Sequence, residues 1–341
     1  MYVLRRLLFL IPVLLGLTML TFILSNVVTD PVSAYITERT PQSQILQIRK
    51  AHHFDDPIPI QYLYYLRSLL SGDWGLSKSM SMEPVSSVIA RLFPATMELA
   101  VAAVIFEVAI GLPIGIISAV KKDKWPDHTS RLLALSGTSF PIFWLGLIMQ
   151  YLFFYDLKLA GLPFLPSQGR VDEFVLLQHP LHSITGLMLF DSLVTFNIPV
   201  FLSALSHIIL PAIVLGFDGL GIVIRITRSS MLEVLRQDYI TLARAKGLSE
   251  RIVIYKHALK NALTPIITIV GVIFGFTLSG AAIVETIFSW PGMGRWAALA
   301  ILSLDQASIM AFVIVSGLIY LLVNLVVDVM YSLFDPRIRY G

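Results

Sequence analysis

Cysteine is absent from all 341 residues. That excludes disulfides, thiolate metal sites and cysteine nucleophiles. Charge is scarce as well: Asp, Glu, Lys and Arg make up 14% of the chain, against about 25% in a soluble domain. The net charge of +3 is too small to argue for a nucleic-acid partner. Motifs of hydrolytic chemistry are also missing. No Gly-x-x-x-x-Gly-Lys-Ser/Thr stretch exists, so this chain has no phosphate-cradling loop and does not itself hydrolyse ATP. Neither His-Glu-x-x-His nor Gly-x-Ser-x-Gly occurs, which removes the zinc-protease and nucleophile-elbow readings. His52 and His53 are adjacent, and neighbouring side chains point apart on regular elements, so they make a poor metal pair. Asp218 and Asp328 sit in no pattern suggesting an intramembrane aspartyl protease. No catalytic residue, metal or cofactor is expected in this chain.

What fills the chain is apolar sequence. Hydrophobic residues reach 56% and the mean hydropathy is +0.78, which places it among membrane proteins. A bilayer core about 30 Å thick needs about 20 mostly apolar residues per helix. Six segments qualify: Leu7–Val28, Thr96–Val120, Leu132–Tyr155, Ser206–Thr227, Pro265–Phe288 and Ile309–Leu333. Their length and lack of strict alternation favour helices over barrel strands. The first run follows Arg5 and Arg6 as a signal peptide would, but it is too long for an ordinary signal core. Val28-Thr29-Asp30-Pro31 is also no small-x-small cleavage site. It reads as a retained helix.

A seventh apolar segment, Ile184–Leu202, contains Asp191, Asn197 and Pro199. Basic residues accumulate on the cytoplasmic side, and this decides the count. Six spans with the N-terminus inside put 16 Lys and Arg inside and 9 outside; a seventh span would leave 7 inside and 18 outside. The reading is therefore an all-α polytopic membrane protein with six transmembrane helices and both termini cytoplasmic. Segment 184–202 is then an apolar helix at the outer surface or packed on the bundle. The parts are a first helix (1–28), an extracytoplasmic loop domain (29–95), a core of five helices (96–333) and a cytoplasmic tail (334–341). A short inner loop falls at 121–131, a second long outer region at 156–205, an inner loop at 228–264 and a short outer loop at 289–308.

The first outer loop is rich in aromatic and leucine residues, among them Tyr35, Phe54, Tyr62, Tyr64, Tyr65 and Trp74. A helix is predicted from about Ile60 to Leu70, stopped at Ser71-Gly72-Asp73. This is a small folded cap or a membrane-surface helix. Counted with Arg225 at its edge, the inner loop 228–264 carries 8 basic and 3 acidic residues, a charge of +5. It reads as a helix up to Lys246, a break at Gly247 and a second helix capped by Ser249. Ala243, Ala245 and Gly247, with Leu242 and Leu248 beside them, would let another surface approach closely. A positive-inside anchor would explain the charge but not the helical order or the glycine. Within the spans, Glu107 and Asp218 are candidates for a wet pathway, since ionisable groups at that depth are costly. Glu285 and Asp328, the latter one turn from Asn324, suit structural pairing near helix ends. Gly111-x-x-x-Gly115 and Gly271-x-x-x-Gly275 permit close helix crossings.

Several strings carry a resemblance over nearly the whole chain. They are Leu4-Arg5-Arg6-Leu7, Ile11-Pro12-Val13-Leu14-Leu15-Gly16, Leu69-Leu70-Ser71-Gly72-Asp73-Trp74-Gly75 and Arg91-Leu92-Phe93-Pro94-Ala95-Thr96. To these add Ser139-Phe140-Pro141-Ile142-Phe143-Trp144-Leu145-Gly146, Arg236-Gln237-Asp238-Tyr239 and Ala243-Arg244-Ala245-Lys246-Gly247-Leu248. The last two are Glu285-Thr286-Ile287-Phe288-Ser289-Trp290-Pro291-Gly292 and Asp335-Pro336-Arg337-Ile338-Arg339. The chain closely resembles the B-type permease subunits of ABC importers for dipeptides, oligopeptides and nickel. The resemblance implies the type I ABC importer permease fold and an EAA motif on the inner loop, which forms a helix that docks on the ATPase subunit. Here that motif falls on Thr241-Leu242-Ala243, Gly247 and His257-Ala258-Leu259-Lys260, with Thr241 in place of Glu, Leu242 in place of Ala and Lys260 in place of Pro. Such departures suit the peptide branch. The coupling residues implied are Asp238, Tyr239, Ala243, Arg244, Ala245, Gly247 and Leu248.

The resemblance also implies partners: a second homologous permease, two ATP-binding cassette subunits that hold ATP and Mg, an outer solute-binding protein and membrane lipid. Peptides lead as cargo, with nickel chelates and oligosaccharides open, because cargo choice resides largely in the binding protein. The region 170–205 is longer than the general pattern. An ATP-independent transporter or channel built on Glu107 and Asp218 is the alternative, although no internal repeat supports it; a membrane scaffold is a third.

Overall fold

The computed structural model describes residues 2–28, 30, 32, 35, 36 and 39–334, with side chains of 10–24, 30, 32, 35, 36, 39–277 and 281–327. The side chains of Arg5, Arg6 and Asp328 and the run 335–339 lie outside that description, as does the tail apart from Phe334. Helix α1 (Tyr2–Val28) is followed by α2 (Gln42–Ala51) and α3 (Ile58–Ser71). Pro57 and Pro59 favour the start of α3 because its first amides need no helical partner. Gly72 ends it in the left-handed region at φ 85°, so the predicted stop at 71–73 falls where expected. A two-residue hairpin, β1 (Leu76–Ser77) with β2 (Glu83–Pro84), pairs Leu76 with Pro84 and Ser77 with Glu83. It leads directly into α4 (Val85–Val120), which starts earlier than the predicted Thr96.

The predicted span Leu132–Tyr155 is two helices. α5 (Trp125–Ser139) stops, and α6 (Ile142–Gln150) begins after Pro141. Phe140, the residue before proline, is extended at φ −89°, ψ 126°, because the proline ring disfavours helical geometry there. α6 continues through a π-helical stretch, Tyr151–Asp156, into α7 (Leu157–Leu159). Short helices α8 (Glu173–Gln178) and α9 (Met188–Val194) follow, then α10 (Ile198–Val234), α11 (Asp238–Ala245) and α12 (Glu250–Ile252). α12 runs through a π-helical stretch, Val253–Ala258, into α13 (Leu259–Ile287); α14 (Met293–Leu302) and α15 (Gln306–Phe334) complete the chain.

Segment 184–202, expected at the outer surface or packed on the bundle, is α9 plus the first turn of α10, and α9 packs on α10 and α4. Asp191 does not face a surface: it is 1% exposed and collects the N–H groups of Ile184 (3.0 Å), Thr185 (3.0 Å) and Gly186 (3.0 Å) and the Thr185 hydroxyl (2.7 Å). The expected short loop 289–308 holds a packed helix, α14, with Trp290 and Trp296 fully buried.

Among the described residues, five helical stretches are long and apolar enough to cross a bilayer: Val85–Val120, Ile142–Leu159, Ile198–Val234, Glu250–Thr277 and Gln306–Val327. α1 contributes a shorter described apolar stretch, Leu10–Leu24. The six-span expectation therefore reduces to five such helices plus α1. α10 is central, packing on α4, α13, α5 and α6. One core joins Leu99, Ala103, Leu210, Val214, Val284, Phe288 and Trp290. Lipid is as apolar as leucine, so tight packing rather than water exclusion holds such helices together. The glycine pairs serve that packing. Gly111 and Gly115 seat Val223 and Thr227 of α10, and Gly271 and Gly275 seat Val327 and Tyr320 of α15; a Cβ at any of these would overlap its neighbour.

Candidate functional site

At the end of the bundle where α4 and α10 finish, α11 lies apart as a short helix with two unlike faces. Ile240 (0%) and Ala243 (6%) are buried in a cluster with Ile116, Ala119, Met231, Val253 and Ala258, and Leu248 packs against it. Tyr239 (41%) and Leu242 (56%) face outward, and Asp238, Arg244, Ala245 and Gly247 are exposed beside them. Asp238 opens the helix, where a negative charge suits the N-terminal dipole.

The turn after α11 is closed by hydrogen bonds from Gly247 N–H to the Arg244 carbonyl (2.9 Å) and from Leu248 N–H to the Ala243 carbonyl (3.4 Å). Gly247 sits at φ 76°, the left-handed geometry that glycine adopts without cost. Arg244 bridges the turn to Glu250 through Nε (2.8 Å) and Nη2 (3.3 Å). Asn261 donates to the Tyr239 hydroxyl at 2.9 Å, tying α11 to α13. One detail differs from expectation: the Ser249 side chain makes no cap bond. Its carbonyl accepts the Ile252 (2.9 Å) and Val253 (3.1 Å) amides instead. Asp238, Tyr239, Ala243, Arg244, Ala245, Gly247 and Leu248, the residues expected to couple, thus lie together on one hydrogen-bonded helix and turn.

The structure does not place Glu107 and Asp218 on a shared open surface. Asp218 is exposed. Glu107 is 0% exposed, enclosed between α4 and α10, and neither carboxylate oxygen has a hydrogen-bond partner. Its side chain fills a notch made by Gly216 and Gly219; a Cβ on Gly219 would land on the Glu107 carboxyl carbon. We expect Gly219→Ala to lower the melting temperature of the solubilised chain. Glu107→Ala in the same background should restore it, because the space that the methyl needs has been vacated. Additive losses in that double-mutant cycle would show that the two residues are not in contact.

Asp127, Asp305 and Glu285 are buried carboxylates that join distant elements, and the sequence reading missed the first two. Asp127 (0% exposed) receives Arg228 through Nε at 2.6 Å and Nη2 at 2.9 Å. It also receives Arg131, the Ser118 hydroxyl (2.7 Å) and the Asp123 amide (2.9 Å). The Arg228 guanidinium, then that of Arg131, holds this carboxyl far below the usual range. Asp305, also 0% exposed, takes hydrogen bonds from the hydroxyls of Ser77 (3.0 Å), Ser79 (2.8 Å) and Ser308 (2.6 Å). That fastens the hairpin to the start of α15. Nothing near Asp127 or Asp305 in sequence signals these roles, since the partners lie up to 228 positions away.

Glu285 behaves as the structural group that its sequence position suggested. Thr96 donates to its Oε1 at 2.7 Å and the Arg295 amide to its Oε2 at 2.8 Å. Trp290 Nε1 donates to the Ala95 carbonyl at 2.9 Å, so the 285–292 string clamps α13 onto α4. His52 and His53 do point apart. His53 stacks on Tyr64 and pairs with Asp56, while His52 stacks against Tyr35 and Phe54.

Residues 111–340 match the family described as "Binding-protein-dependent transport system inner membrane component". Residues 1–100 match the companion description for the N-terminal part of such components. The chain belongs to this family. It is 42% identical to a dipeptide transport system permease protein of Alkalihalophilus pseudofirmus, covering 99% of both chains. It is also 42% identical to a protein of that description from Escherichia coli K12, covering 99% of this chain and 98% of the relative. Identity is 36% to a glutathione transport system permease protein of Salmonella choleraesuis, covering 99% of each. In this inner membrane component, the α11 unit and the Asp127 latch occupy one end of the bundle, and the Glu285 and Asp305 clamps occupy the other. The long region 170–205 has a physical explanation in it. Glu98 and Arg170 form a nearly buried ion pair, and Glu98 also accepts the Leu189 amide at 2.7 Å, so the segment is folded down onto α4.

Proposed function

We propose that this chain is the membrane-spanning subunit of an ATP-driven importer of short peptides, forming half of the translocation pathway. The reading rests on family membership, on the relatives described as dipeptide permeases, and above all on one observation. α11 is a braced, two-faced helix whose outer face carries Tyr239 and Leu242 uncovered. Apolar side chains held rigidly outward are suited to seating in a partner's groove. α1 is the sixth span in this proposal, and both termini are cytoplasmic. Two ATP-binding cassette subunits dock beneath α11 and supply the ATP and Mg site. A second homologous permease completes the pathway, and a solute-binding protein delivers cargo at the opposite face. ATP-driven closure of the cassettes pushes α11, and the bundle rocks between outward-open and inward-open states, a population shift driven by nucleotide.

The experiment combines copurification with labelling. Mild-detergent isolation should recover one second permease and two cassette subunits per chain. The absence of cysteine makes every introduced thiol unique. Leu242→Cys should react with an impermeant maleimide only from the cytoplasmic face and become protected when the cassettes bind. Labelling from outside, or recovery of the chain alone, would overturn the topology or the partner set respectively.

A further inference from the structure

A cavity of about 270 Å³ lies well away from the α4–α10 seam, between α1, the α2–α3 cap and the first turns of α15. Small-molecule sites run about 300–1,000 Å³, so its size suits one side chain and a short backbone. Its walls include the rings of Phe22, Tyr35, His52, Phe54 and Trp74, with Met310 among the residues from α15. Three of the rings lie against one another: Tyr35 is tilted on His52 at 4.1 Å and His52 stacks on Phe54 at 5.5 Å between centroids.

Two groups of opposite charge, Asp73 and Arg67, also line this cavity, and both are exposed residues. Asp73 Oδ1 takes the Gly75 amide at 3.2 Å, which fixes the side chain and leaves acceptor capacity. Arg67 has no ion-pair partner among the described residues. The charge of Asp73 is felt inside. Burial pushes the Tyr35 hydroxyl up to about 12, and Asp73 adds to that rise. For His52, burial lowers the ring's affinity for a proton while Asp73 opposes the change. A lipid tail would have no use for a carboxylate and a guanidinium on the same wall. A ligand with both charges and an apolar side chain uses all three features.

We propose that this cavity is a second binding site for short zwitterionic peptides bearing an apolar or aromatic side chain. The α-ammonium sits against Asp73 and the adjoining ring faces, a cation–π arrangement. The α-carboxylate sits on Arg67, whose planar fork fits it, and the side chain enters among Phe22, Tyr35 and Phe54. The site holds peptide on the cap, apart from the pathway. This rests on the peptide-importer reading above.

The test uses the full chain in its purified transport complex, in lipid nanodiscs. Alanyl-phenylalanine, its N-acetyl form and its C-terminal amide are the probes, followed by saturation-transfer NMR on the phenylalanine ring. The dipeptide should bind saturably, and each blocked form should bind about tenfold or more weakly, the loss expected for one charge-assisted contact. Asp73→Asn should weaken the dipeptide and erase the penalty for N-acetylation. Arg67→Gln should do the same for the amide. Met310→Trp, which leaves both charged residues in place and fills the cavity from α15, should abolish the signal.

Dipeptide binding that is unchanged in all three variants would place the peptide elsewhere and overturn the proposal. So would a phospholipid that copurifies with the wild type, is lost in Met310→Trp, and leaves no dipeptide signal. Uptake of labelled dipeptide by cells carrying the whole wild-type system separates the two readings. Uptake without cavity binding removes only this site, whereas absence of uptake removes the peptide-importer reading itself.

Discussion

Replacing Asp127 by Asn should cost the solubilised chain about 3–5 kcal/mol of stability, the range found when one member of a buried ion pair is removed. The carboxylate is fully buried and Arg228 is largely so, with side-chain exposures of 0% and 21%. An amide leaves the Arg228 charge without its counter-ion in a confined site. It also loses one acceptor for the Ser118 hydroxyl, the Asp123 amide and Arg131. The measurement is thermal unfolding in detergent, with expression level as a second readout. Arg228→Met in the Asp127→Asn background should recover much of the loss, since removing both charges is far cheaper than stranding one. Strictly additive losses would show that the pair is not the source.

The pH dependence of this latch has a definite sign. Its carboxyl titrates below the ordinary value of about 3.9 when folded. A depressed folded value adds stability that is fully present above the unfolded value and is lost as pH falls through the folded one. Between pH 7 and pH 5 the latch should therefore hold, and Asp127→Asn should cost the same at both. In the proposed importer the latch would serve coupling as well as stability. Ser118, Asp127 and Arg228 join α4, α5 and α10 at the end where α11 packs. On that proposal, a push on α11 would move three helices together.

The second large effect is on transport rather than folding. Gly247→Asp should leave expression and membrane insertion near wild type and abolish nucleotide-driven uptake. Gly247 is left-handed at φ 76°, and a side chain there would project into open space, with no atom within 4 Å of an added Cβ. Aspartate tolerates that backbone region better than most residues, so the cost to the chain itself is about 1 kcal/mol. What the substitution changes is the outer surface of the turn. A charged group there blocks close approach of a partner and desolvates badly beneath it. The assay is uptake and stimulated ATPase activity of the reconstituted complex. Gly247→Asn, equally tolerant of the backbone and uncharged, should retain more activity. Full uptake by Gly247→Asp would remove the turn from the docking surface.

Composition and hydropathy alone determined that this is a helical membrane protein, because apolar runs of span length leave no other use for 56% hydrophobic residues. The α11 turn was legible too. A glycine after a helical run, with small residues before it, specifies a left-handed stop by local chemistry alone. The α3 stop at Gly72 was legible for the same reason. These are features settled within a few residues of chain.

Features settled across the chain were not legible. The break at Phe140-Pro141 was hidden in an apolar run because hydropathy averages over the proline that divides it. Asp127 drew no reading from the sequence and Arg228 only counted among the inner charges, yet they lie 101 positions apart in sequence and 2.6 Å apart in space. Asp191 left its segment open between the outer surface and the bundle, and it is a buried acceptor of turn amides. Glu107 read as a candidate for a wet pathway and is enclosed against Gly216 and Gly219. In each case the sequence set the kind of group. Only the tertiary structure decided whether water, a guanidinium or a glycine notch would surround it, because the solvation of a buried charge is set by whichever distant segments fold around it.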